Sequence, residues 1–401
     1  MRPSSSTFKA IAIATMSLGT FGLNAQVVQS SANPVTGTTD WDQWKRNCSL
    51  SSDFRRKLFD CASSTFRSRP FHFLAQTVVP GSGVGGGGRY SRDINENGGA
   101  QDQIQATGVV TIRNFWLSEV KFTSQRSINA ASNESGESRG LTAFVRNRFL
   151  PAMPFYGIGP NSRLSNSVQF SQRDTTLGFE GTTPFPTLGW LSAGAKIEGI
   201  WLKVGSVKRS NIISIEQEYT EQTAPGLTTQ PPFVHENVFL RPHRRFFKRF
   251  ELNSIATYNF YQDTNTGRYS FQRFEANIEQ RFYPEKKKHG GVIEQNLLSV
   301  RLKYSASQTS RNHTVPFYFQ ETIGGSDISN EQILPGFKDY RFRGPDLLTV
   351  QAEYDQKLCV TCSLCGEGIT RTVCSHLGVA VRYDAGNVGL HWDDFGLSNF
   401  R

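Results

Sequence analysis

Cys359-x2-Cys362-x2-Cys365-x8-Cys374 gathers four thiols within sixteen positions, the densest set of metal-capable side chains in the sequence. In a reducing compartment that spacing suits zinc or an iron–sulfur cluster. In an oxidising one it suits disulfides, and Cys48 and Cys61 bring the cysteine count to an even 6. A redox-active pair is a third reading. The histidines (His72, His235, His243, His289, His313, His376 and His391) are scattered and show no ligand spacing such as H-x3-H. His243 belongs to the basic run Arg241-Pro242-His243-Arg244-Arg245, and Asp393-Asp394 beside His391 reads as a solvated turn. Covalent catalysis needs a serine and a histidine with a third orienting group. No such set stands out, and the chain is not expected to be an enzyme. The run Gly81 to Gly88 could cradle a phosphate only if a helix followed to supply its dipole. None follows, and the run reads as a flexible loop at the end of a first strand.

Positioning falls instead to the segment Phe317 to Tyr354. It opens on a Gly-Gly-Ser-Asp turn, Gly324 to Asp327. It then carries Leu334-Pro335-Gly336-Phe337 and the basic-aromatic run Lys338-Asp339-Tyr340-Arg341-Phe342-Arg343-Gly344. The segment closes in strict alternation. Leu348, Val350, Ala352 and Tyr354 share one face, against Thr349, Gln351, Glu353 and Asp355. A period of two makes a strand with one apolar and one polar face. The long loop before it is charged and aromatic enough to pack against something.

The same period recurs from Arg69 onward. Ile104, Ala106, Gly108, Val110 and Ile112 form one face, and so do Leu191, Ala193, Ala195, Ile197 and Trp201. Phe274, Ala276, Ile278 and Phe282 oppose Arg273, Glu275, Asn277, Glu279 and Arg281. Leu298, Val300, Leu302, Tyr304 and Ala306 oppose Ser299, Arg301, Lys303 and Ser305. Only 37% of residues are hydrophobic and the mean hydropathy is −0.42, which excludes a bundle of membrane helices. Both values fit a transmembrane antiparallel β-barrel, where every second residue meets a wet lumen. Aromatics at 12% and 36 glycines supply interface girdles and turns. The net charge of +10 is spread over alternating strand positions. It points to a cationic lumen or to anionic lipid headgroups, and nucleic acid is not expected as a partner. Residues 1–25 read as a signal peptide, with Arg2 and Lys9 ahead of an apolar run too short to span a bilayer. Residues 26–68 read as a short periplasmic segment with one helix over Asp53 to Phe66, and 69–401 as the barrel.

This last stretch resembles the barrel of the BamA/TamA-type outer-membrane assembly factors, the bacterial surface antigen family. The resemblance rests on Tyr383-Asp384-Ala385-Gly386 and on the long loop. It extends to the punctuation Phe155-Tyr156-Gly157-Ile158-Gly159-Pro160-Asn161-Ser162 and Ala224-Pro225-Gly226-Leu227. It implies a family barrel of sixteen strands, of which about thirteen are present, the C-terminus being truncated and POTRA modules absent. It implies a lumenal loop with its tip at Leu334, Pro335, Gly336 and Phe337, proline standing where the family has arginine. Tyr340, Arg341, Phe342 and Arg343 would anchor that loop. Asp384, beside Gly386, would be their acidic wall partner. The segment holding Cys359, Cys362, Cys365 and Cys374 becomes a periplasmic turn, so these four, with Cys48 and Cys61, are expected in disulfides; zinc on the four is the alternative. No cofactor is implied. The implied role is insertion or translocation of proteins or lipids at the bacterial outer membrane. Its partners would be outer-membrane lipid and lipopolysaccharide, with an unfolded outer-membrane protein or a lipid as client. A passive porin-like channel or a structural surface antigen are the alternatives.

Overall fold

A computed structural model describes residues 70–395, with breaks at 98–99, 128–137, 186, 208–210, 248, 285, 290–291, 358–377 and 391. The expected signal peptide, the segment 26–68 with its expected helix, and all six cysteines lie outside the described residues. Thirteen strands form one antiparallel sheet. They are β1 (Phe71–Gln76), β2 (Gly85–Asn97), β3 (Ala100–Thr111), β4 (Trp116–Ser127), β5 (Ser138–Phe155), β6 (Val168–Phe185), β7 (Leu188–Gly205), β8 (Phe233–Phe246), β9 (Phe250–Asp263), β10 (Phe271–Phe282), β13 (Leu297–Thr309), β16 (Asp346–Lys357) and β17 (Gly378–Gly389). Each pairs with the next in chain order, and β1 and β17 are the two edges of the described sheet. Two short hairpins interrupt the meander. One is β11 (Lys286–His289) with β12 (Val292–Gln295), and the other is β14 (Glu321–Ile323) with β15 (Phe342–Gly344).

Alternation decides the two faces. Val120, Val145 and Leu177 stand directly opposite one another on β4, β5 and β6, and all three are exposed. Ile197, Val238, Leu240, Phe274, Ile278, Val300, Val379 and Val381 are exposed as well. In water so many exposed apolar side chains on one sheet would be an aggregation surface. Facing lipid, they are the apolar band of a membrane barrel. The opposite face holds the charges: Arg273, Glu279, Arg281, Arg301 and Lys303 share it, linked by ion pairs such as Arg281–Glu279 at 3.1 Å and Arg301–Glu279 at 3.6 Å. No described helix is long and apolar enough to cross a membrane. Crossing takes about 9–11 residues of tilted strand, and β5, β6 and β7, at 18 residues each, have length to spare.

One expectation needs correction. Gly85 to Gly88 are strand, not flexible loop: they open β2 and pair with both β1 and β3. The reason is close backbone approach, since a Cβ at Gly87 would lie 2.0 Å from the Gly108 carbonyl oxygen. The last strand, β17, runs on to Gly389, where Asn387, Val388 and Gly389 still pair with β16. Only beyond it does the chain turn, in the short 3-10 segment Trp392–Phe395.

Candidate functional site

The long connections β1–β2, β5–β6, β7–β8, β9–β10 and β13–β16 all leave the sheet at one rim, and the last of them turns inward. Its first anchor is aromatic. Pro316 precedes a single 3-10 turn, Phe317–Phe319, with Phe317 fully buried. Phe317 meets Phe155 edge-on at 5.2 Å and Phe170 at 5.1 Å. Phe319 meets Phe233 at 5.0 Å. The cluster continues through Leu150, Met153, Tyr269 and Tyr340, so the sheet's core sits inside the rim and is built around the loop. Each ring buried there contributes about 1.5–3 kcal/mol relative to exposure.

The Gly-Gly-Ser-Asp turn is a docking point for the returning strand of the loop. Cβ atoms at Gly324 and Gly325 would fall 2.2 Å from the Lys338 carbonyl oxygen and 2.6 Å from that of Phe337. Gly325 N donates to Lys338 O at 3.0 Å and Tyr340 N to Ser326 O at 3.1 Å. The hairpin β14–β15 closes the loop. Asp327 accepts from Ser329 N and Glu331 N, and Lys303 of the wall reaches both Asp327 (3.3 Å) and Glu331 (2.9 Å). Burial pushes the Asp327 carboxyl up against that opposing lysine. Arg273 ties the other flank, pairing with Glu321 at 3.2 Å and donating to Phe319 O at 2.7 Å.

The four expected anchor residues are all buried. Tyr340, at φ 55, donates its hydroxyl to Pro80 O at 3.1 Å. Arg341 donates to Ser162 Oγ at 2.8 Å and Ser162 O at 2.5 Å, and stacks over Tyr156 (5.2 Å) and Phe342 (4.4 Å). Arg343 donates to Phe317 O at 2.5 Å within the rings of Phe155, Phe170 and Phe317. Burial pulls its guanidinium down to about 10, so it stays protonated at neutral pH. Gly159 N returns a bond to Arg343 O at 2.7 Å. One short run thus touches the β1–β2 and β5–β6 connections, and the sheet has to curl round the loop to let it do so.

The tip divides. Leu334 is buried with Ile323, Ile333 and Phe342, while Pro335, Gly336 and Phe337 are exposed. Asp384 does not pair with an anchor arginine. Its Oδ1 accepts from Gln351 Nε2 and Arg382 Nε, both at 2.8 Å. Those two wall residues hold the loop by its backbone: Gln351 donates to Gln332 O at 2.9 Å, and Arg382 donates to the same carbonyl at 2.5 Å. The carboxylate therefore orients donors and leaves the loop contact to them. Gly386, beside it, lies close against Thr349: a Cβ there would sit 3.0 Å from Thr349 Cγ2. The loop contacts of Ser162, Arg273, Gln351 and Arg382 escaped sequence reasoning, because three of them act on backbone carbonyls, which no residue pattern displays.

A curled antiparallel meander, apolar outside, ion-paired inside and filled at one rim by its own loop, is a transmembrane β-barrel of all-β class. No protein-family model matches the chain, and no curated protein does. Among solved structures it is similar to CdiB from Acinetobacter baumannii, at 11% identity and TM-score 0.44 over 80% of this chain. BamA from Haemophilus ducreyi lacking POTRA domains 1-3 is similar at 12% identity and TM-score 0.46 over 86% of this chain and 69% of that one. OmpT of Vibrio cholerae is similar at 11% identity and TM-score 0.27, covering 78% of this chain and 96% of that one. The chain spans about half the length of CdiB, 49%.

Proposed function

We propose that the protein is a bacterial outer-membrane barrel of BamA/TamA type that assists the insertion or translocation of protein or lipid clients. The observation that carries this reading is the inward loop. A buried aromatic core, two buried arginines and the wall ion pairs of Arg273 and Lys303 are spent on closing the rim from inside. A passive pore has no use for a closed lumen, whereas a barrel that handles clients at its wall must stay sealed meanwhile. Outer-membrane lipid, lipopolysaccharide and an unfolded outer-membrane protein are the partners this role needs.

The test is reconstitution into liposomes. A small urea-denatured outer-membrane barrel should fold several-fold faster with the protein present than in empty vesicles. Arg343→Ala, which removes a buried side chain from among three rings and costs about 2–4 kcal/mol, should abolish most of that gain and raise leak conductance. A large, steady conductance without acceleration, unchanged by Asp384→Asn, would establish the porin instead.

A further inference from the structure

The basic run Arg241-Pro242-His243-Arg244-Arg245 takes no part in holding the loop, yet part of it belongs to the charged face. His243, Asn253, Glu279 and Arg301 stand directly opposite one another on β8, β9, β10 and β13. Asn277, two residues before Glu279, shares their face. A cavity of about 280 Å³ opens on this stretch of wall, and Arg241, His243, Asn253, Asn277, Glu279 and Arg301 all line it.

Elsewhere on this wall the cations are satisfied: Arg245 pairs with Glu251 at 2.9 Å, Arg281 with Glu279 at 3.1 Å and Lys303 with Glu331 at 2.9 Å. The two arginines of the cavity differ. Arg241 rests over the Phe239 ring at 5.2 Å and, among the described residues, has no acidic partner. Arg301 lies 3.6 Å from Glu279 and 3.7 Å from Glu331, too far to hydrogen-bond either, with 35% of its side chain exposed. Among the described residues neither guanidinium makes a hydrogen bond, and neither does the Asn277 amide. His243 Nδ1 faces Asn253 Oδ1, and Asn253 is fixed by its bond from Nδ2 to Glu251 Oε1 at 3.1 Å. The ring therefore carries a proton on Nδ1 and keeps Nε2 for a ligand.

We infer that this cavity binds a small phosphorylated sugar, its phosphate held by Arg241 and Arg301 and its hydroxyls by Asn277, Glu279 and His243. Guanidinium groups match phosphate oxygens in pairs. Phosphate alone would leave most of the space unused, since one water takes only about 30 Å³. The other end of the ligand has to be neutral, because a second anionic group would meet the Glu279 carboxylate. Hydroxyls suit that end, where Glu279, Asn277 and His243 Nε2 all accept. Ile255 and Pro242 are the apolar part of the lining, too little for an acyl chain. The site needs only that this face lines the lumen, and it stands apart from client handling.

The protein, folded in neutral detergent, is titrated calorimetrically with glucose 6-phosphate, with glucose and with inorganic phosphate. Glucose 6-phosphate should bind saturably, about tenfold or more tighter than inorganic phosphate, and glucose should not bind measurably. Arg241→Gln with Arg301→Gln should weaken glucose 6-phosphate about tenfold or more. Asn277→Ala should weaken it about threefold or more and leave inorganic phosphate unchanged. Equal affinity for inorganic phosphate means an adventitious ion only and overturns the inference. So does an absence of glucose 6-phosphate binding, glucose binding as tightly, or parent-like affinity in the double variant or in Asn277→Ala. If the double variant does not fold, Arg241→Gln alone, which breaks no ion pair, is measured, and affinity equal to the parent's overturns it.

Discussion

Glu221, in the connection between β7 and β8, gathers four donors. They are the Tyr269 hydroxyl at 2.5 Å, Gly226 N at 2.6 Å, Thr228 Oγ1 at 2.7 Å and Thr228 N at 2.9 Å. Burial by itself would raise this carboxyl, but the hydrogen bonds win and hold it below the usual carboxylate range. A carboxyl whose folded pKa is depressed stabilises the fold above the pH at which the unfolded group titrates, about 4. That stabilisation is lost as pH falls through the lower folded value. Glu221→Gln should therefore cost about 1 kcal/mol at neutral pH, allowing for solvent screening. The difference from the parent should shrink in acid. Thermal unfolding at neutral pH and near pH 3 checks it, and a gap that widens in acid contradicts it. None of this was legible beforehand. Glu221 stood next to the noticed punctuation Ala224 to Leu227, but its donors become neighbours only when the connection folds over the rim.

At the scale of elements, β2 shows why one glycine differs from the next. A Cβ added at Gly87 would meet the β3 backbone at 2.0 Å, whereas one at Gly86 would meet nothing within 4 Å. Gly87→Ala should force β2 away from β3 and cost about 3 kcal/mol or more, while Gly86→Ala should stay within about 0.5 kcal/mol. Refolding yield in detergent separates them, and equal yields would mean that the β2–β3 approach is looser than described. The sequence displayed the glycine run but not its use, since a tight strand approach and a flexible loop ask for the same residue. The hairpin of β14 and β15 was hidden for a related reason. Three residues a side, buried on every surface of β15, show no alternation to read.

For the whole molecule the decisive property is inversion, with apolar residues outside and charge inside. The protein should require detergent, and brominated lipid should quench its tryptophan emission strongly, since Trp201 is 49% exposed on the outward face. Trp201→Phe should remove a measurable share of that quenching. Emission indifferent to brominated lipid would mean that this face meets water.

The period of two, with charges and apolar residues kept on separate faces, sufficed to specify an antiparallel β-barrel and the strands β3, β7, β10, β13 and β16 within it. Side-chain alternation is a local property, written residue by residue. The roles of Arg341, Arg343 and Asp384 were not local. Only the curling of the sheet brought Ser162 to Arg341, placed Phe155 and Phe170 around Arg343, and left Asp384 to steady Gln351 and Arg382. A loop's partners are set by which carbonyls and rings surround it after folding, and a linear pattern does not contain that geometry.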